Sequence, residues 1–148
     1  MGDLSKMFGQ GATLLYQDKA YKLSPWLYRV QADFEIYLEE QAWGTYKRAA
    51  RNLSESEVEK LRMETARDIT SGKYSAGGPI FIESIWIPKH AKMFLYLLVE
   101  VNHPEISKAT VDGMFDSNPQ MCFEKVMEAG SDPSRKPPAT APPAVDVP

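Results

Sequence analysis

Residues 96–115, YLLVEVNHPEISKATVDGMF, decide the fold. Leu97, Leu98, Val99 and Val101, preceded by Ala91, Met93, Phe94 and Leu95, make residues 89–102 apolar nearly all round. A helix of that kind is normally enclosed by its neighbours, so this one is predicted to be the centre of the core. Pro104 stops it, because the residue before a proline avoids the α region. Thr110 is then predicted to cap a short helix carrying Val111, Met114 and Phe115. His103 falls in the corner between the two. A catalytic histidine needs a reacting proton within reach and usually a carboxylate to orient it, and only Glu100 and Glu105 stand near in sequence. The expected role is structural, at a helix C-terminus whose dipole favours a protonated imidazole. His90, between Lys89 and Lys92, has no better claim to chemistry.

Towards the N-terminus, Leu14 to Tyr16 and Tyr21 to Leu23 flank the polar Gln17, Asp18 and Lys19, which predicts a small β-hairpin. Two strands are marginal alone and must lie against something larger. Ser24 suits an N-cap and Pro25 the first helical position. From there Leu27, Val30, Phe34, Leu38, Ala42 and Tyr46 recur along one stripe of a helix predicted to reach about Arg51, roughly 40 Å long. Its acids (Asp33, Glu35, Glu39, Glu40) precede its bases (Lys47, Arg48, Arg51), the order that the macrodipole favours, and Gly44 marks a bend or a close contact. Ser54 with Glu57 then fits a capping box, and Leu53 with Val58 a hydrophobic staple, while Ser56 with Glu59 offers a competing start. Val58, Leu61, Thr65 and Ile69 form the inner face of this helix, which is predicted to end near Ser71 and Gly72.

Residues 80–87 fit either a short helix opened by Pro79 or a strand, since Ile80, Ile82 and Ile85 suit both, and Pro88 ends or kinks the element. Asn118 and Pro119 repeat the cap logic for a last helix with Met121, Cys122, Val126 and Met127, closed by Gly130 at its C′ position. The fold is thus predicted to be mainly α: a compact helical domain of about five helices over residues 13–130, with a small N-terminal β-hairpin. It is flanked by a flexible arm over residues 1–12 and a disordered, Pro-rich tail over residues 131–148.

Composition narrows the function classes. The 148 residues are 43% hydrophobic, enough for one core. The net charge of -3 offers no global attraction to phosphate, and the basic residues around Arg48, Arg51, Arg62 and Arg67 are interrupted by acids, so nucleic acid is not expected as a partner. No run reaches the ~20 apolar residues that span a bilayer, so no membrane is expected. The lone Cys122 fits a reducing compartment, and no Cys/His cluster has metal-ligand spacing, so no metal or other cofactor is predicted. The glycines of SAGGP lack the GK[ST] of a phosphate loop. No acidic pair recommends itself as general acid and base, and no enzyme is expected. What stands out is the aromatic supply. Tyr74, Phe81 and Trp86, on and after a glycine-bearing loop, together with Trp43, are the candidate partner-binding residues.

The order of elements carries a resemblance. A short hairpin, the helix start SPW, a long polar helix, a glycine-bearing loop, the apolar MFLYLLVEVNHPEIS and the following ATVDGMF together resemble the small tail assembly chaperones of tailed bacteriophages. The likeness centres on Leu97, Leu98, His103, Pro104, Glu105, Ile106 and Val111 and covers most of residues 14–130. It implies a non-enzymatic helical protein in the host bacterial cytoplasm that binds the tape measure protein during tail assembly and then leaves. The tail tube protein is a further candidate partner. A frameshifted longer form, known from many such phages, would extend from the Pro-rich tail. The alternative is a permanent virion subunit, a head-to-tail connector or tail terminator.

Overall fold

The computed structural model describes residues 9–131; the remainder of the expected arm and tail, residues 1–8 and 132–148, lies outside the described residues. The chain runs β1 (Ala12–Tyr16), β2 (Lys19–Leu23), α1 (Tyr28–Ala50), α2 (Glu55–Thr70), α3 (Pro79–Ile85), α4 (Pro88–Glu100), α5 (Lys108–Ser117) and α6 (Pro119–Ala129). It is mainly helical with one antiparallel hairpin, and six helices stand among the described residues where about five are predicted. The chain divides into two compact units: Ala32–Ser84, and the segments on either side of it.

In the flanking unit, Gln17 and Asp18 both take positive φ (50° and 62°), the two-residue turn whose twist matches that of paired strands. Leu14 pairs with Tyr21 and Ala12 with Leu23, so Ala12, Leu14 and Leu23 share the buried face while Leu15 points away, 66% exposed. The hairpin has the support that two strands need: β1 lies along α6 and β2 along α4. Gly11, expected in the arm, is held in place, its N–H donating to the Ala129 carbonyl at 3.1 Å. The apolar stretch behaves as its composition dictates. Pro88 opens α4, and Ala91, Phe94, Leu95, Leu98 and Val99 are buried. Around them pack Val111, Met114 and Phe115 of α5 and Cys122, Val126 and Ala129 of α6.

Three local expectations change. Ser24 does not cap α1, which begins at Tyr28. It is buried, its N–H donating to the Leu98 carbonyl at 2.9 Å and its hydroxyl to the Pro25 carbonyl at 2.6 Å, so it is anchored in the core ahead of the helix. The cap of α5 is Ser107, whose Oγ accepts from the Thr110 N–H at 3.1 Å; Thr110 becomes the third helical residue. Gly130 closes α6 with an ordinary φ of -91°, not in the left-handed region. Its lack of a side chain matters because a Cβ there would lie 2.6 Å from the Trp26 ring. The Asn118 cap stands as predicted, with Oδ1 accepting from the Met121 N–H at 3.1 Å.

In the Ala32–Ser84 unit, the Ser54 and Glu57 capping box is present in both directions and starts α2 where predicted. Residues 80–87 resolve as helix: Phe81, Ser84 and Ile85 are the buried positions at i, i+3 and i+4, and the Ser84 hydroxyl donates to the Ile80 carbonyl at 2.7 Å. Ile82, one of the residues that suited a strand, is 40% exposed. Phe34 packs edge-on against Phe81, ring centres 5.2 Å apart, and stacks with Tyr37 at 5.7 Å. The carboxylate of Glu35 accepts the Ala76 N–H at 3.0 Å and so ties the glycine-bearing loop to α1.

Candidate partner-binding cleft

No residue from 39 to 80 is buried. The predicted inner face of α2, Val58, Leu61, Thr65 and Ile69, is only half-buried along its whole length. The reason is the chemistry of the seam. On α1 it presents Ala42, Thr45, Tyr46 and Ala49, and on α2 Leu61, Thr65 and Asp68, so four of the seven side chains are only alanine or threonine. They leave a cleft of about 200 Å³, with Tyr74 from the following loop completing its wall. A cavity of ~150 Å³ holds a benzene ring, so this one has room for an aromatic or branched aliphatic side chain.

The cleft is less polar than its residue names suggest. The Thr45 hydroxyl donates to the Gln41 carbonyl at 3.1 Å and the Thr65 hydroxyl to the Leu61 carbonyl at 2.9 Å. Both threonines have spent their donors on their own helix and can offer methyl groups. Asp68 is paired with Lys73 at 3.4 Å. On the same helix Glu59 pairs with Arg62; their hydrogen bond holds the Glu59 carboxyl below its usual range and the Arg62 guanidinium above it. Among the described residues no group of three or more His, Cys, Asp or Glu could hold a metal ion.

Of the predicted partner-binding residues, Tyr74 lines the cleft and Trp43 stands beside it, edge-on to Tyr46 at 5.6 Å. Phe81 is fully buried and belongs to the core, where the helical phase of α3 places it. Trp86 lies in the other unit, half-buried against Phe123 at 5.3 Å. The cleft residues missed as a site were Ala42, Thr45, Tyr46, Ala49, Leu61, Thr65 and Asp68. The partial signal was the run of small side chains Ala42, Thr45 and Ala49 along one stripe of α1.

His103 has a structural task. Its Nε2 accepts the backbone N–H of Lys22 at 3.0 Å and its ring packs on Tyr21 at 5.2 Å, while Asn102 donates to the Lys22 carbonyl at 3.3 Å. These two side chains close the outer edge of β2. The imidazole thus serves as an edge partner for the hairpin. His90 is held below the usual imidazole range by burial first and Lys89 second. Burial pushes the Cys122 thiol up to about 11, which leaves it protonated and inert. A thiol reagent at pH 8 should leave Cys122 unmodified in the folded chain and react within minutes once urea unfolds it; mass spectrometry of the two samples reads this directly. Rapid modification of the folded chain would place Cys122 outside the core.

No protein family, no curated protein and no solved structure matches the chain.

Proposed function

We propose that the chain binds an amphipathic helix of a partner protein, as a tail assembly chaperone of the kind made by tailed bacteriophages, with the tape measure protein as its partner in the host cytoplasm. The observation that supports this reading is the cleft: a largely apolar seam, 42 to 74 in sequence, whose alanines and threonines leave about 200 Å³ open. A partner helix would insert one large apolar anchor there and lay its neighbours at i+3, i+4 and i+7 along α1 and α2, the groove mode of helix recognition. Tyr46 and Tyr74 supply rigid walls at low entropic cost, and an interface of this kind needs few such anchors to carry most of its energy. The work done is covering, without covalent chemistry: apolar helices that would otherwise aggregate are held until their assembly partners take them.

Co-expression with the tape measure protein tests the reading. The wild-type chain should yield a soluble complex absent from finished particles. Thr65→Trp or Ala49→Trp, which fill the cleft from exposed or half-buried helix positions, should abolish capture with an unchanged circular dichroism spectrum. Capture by the filled variants as efficient as by the wild type would overturn the site. Absence of any complex, with the chain present in purified virions, would favour the permanent subunit.

A further inference from the structure

The side of α1 opposite the cleft carries a pattern of its own. At 3.6 residues per turn, Ile36, Glu40, Trp43, Gly44 and Lys47, with Arg51 just past the helix end, follow a sector of about 100°, turned away from Ala42, Thr45 and Ala49. Ile36 is 53% exposed, and Glu40, Lys47 and Arg51 are exposed. Among the described residues none of those three charges joins an ion pair within the chain, although five other pairs form elsewhere. Gly44 leaves an opening: a Cβ there would meet only the tip of Arg48, at 3.6 Å. A glycine in mid-helix costs about 1 kcal/mol relative to alanine, and among the described residues only the Arg48 tip comes near the space it makes.

We propose that this face pairs with the same face of a second copy of the chain, antiparallel, about a twofold axis beside Trp43 and Gly44. Charge order selects the occupant and its direction. Acidic Asp33 and Glu40 precede the centre and basic Lys47 and Arg51 follow it, so a reversed copy sets Glu40 against Lys47 twice over. A parallel copy in register would set like against like. The same reversal brings each Trp43 over the partner's Gly44, a large ring onto the one position of the stripe without a side chain, and isologous pairing repeats the fit on the other side. The stripe from residue 33 to 51 is roughly 27 Å long, enough for a modest, reversible interface. Trp43 borders the cleft through Tyr46, but Glu40 and Lys47, on which the pairing turns, do not line it, so the dimer can be tested apart from the proposed function.

Light scattering across a concentration series, at low and high salt, decides the matter on the full chain. The wild type should pass from monomer to dimer with rising concentration, at lower concentration in low salt. Glu40→Lys alone and Lys47→Glu alone, both at exposed positions, should each weaken the dimer by about tenfold or more through like-charge contact. Mixing the two variants in equal amounts should restore it, as should combining both changes in one chain. A wild type that stays monomeric at every concentration, single variants that dimerise like the wild type, or a mixture that does not recover would each overturn the proposal.

Discussion

Phe94→Ala should destabilise the chain by about 3–5 kcal/mol, the range for deleting a buried aromatic ring. Phe94 is fully buried on α4 and meets the Trp26 ring edge-on, centres 5.0 Å apart at 84°. Two terms add. The ring's transfer from water is lost, and the space it leaves cannot close, because α4 is held by β2 on one side and by α5 and α6 on others. Urea unfolding would show the loss as a lower midpoint with an unchanged slope. Total stability of a domain this size is about 5–15 kcal/mol, so the variant sits close to the threshold for folding. Phe94→Leu keeps most of the volume and should cost less than half as much. Met63→Ala on α2, where Met63 is 51% exposed, should stay within about 0.5 kcal/mol. A loss at Phe94 no greater than at Met63 would remove α4 from the centre of the core.

That centre was legible because apolar residues are dense there: eight between Ala91 and Val101 leave only the stripe of Lys92, Tyr96 and Glu100 to face outward. The capping box at Ser54 and the cap at Asn118 were legible for a different reason, since each uses only residues three apart. Ser24 failed on that same local logic. Its N–H is claimed by the Leu98 carbonyl, seventy-four residues away, and local chemistry carries no trace of such a partner. Phe81 failed as a surface residue because the helix phase of residues 79–85 was undecided; one phase exposes Ile82 and buries Phe81, and a strand would not. The cleft was half-legible. Ala42, Tyr46, Leu61 and Thr65 were read as inner-face residues, which they are, but an amphipathic pattern gives the side that is covered and not how fully. Whether small residues on one helix face large ones on the next depends on the register between helices, which neither sequence stretch encodes alone.

Gly130→Ala should cost about 1–3 kcal/mol, as overpacking does, although its backbone would accept any residue. The methyl would lie 2.6 and 2.7 Å from Cε2 and Cδ2 of Trp26, and the indole has little freedom to yield. Its Nε1–H donates to the Val126 carbonyl at 2.9 Å and its ring stands perpendicular to Phe94, so a tilt that relieved the clash would disturb one or the other. The end of α6 is thereby tied to the entry of α1 within the flanking unit. A double-mutant cycle separates this cause from a helix-end effect. In a Trp26→Ala background the same methyl meets open space, and Gly130→Ala should become nearly neutral, giving a coupling of about 1 kcal/mol or more. If Gly130→Ala costs the same in both backgrounds, the penalty belongs to the C-cap backbone and the indole is a bystander. If the cost vanishes without the ring, Gly130 is kept small by a side chain 104 positions earlier in the sequence, a reason for glycine that no dihedral angle shows.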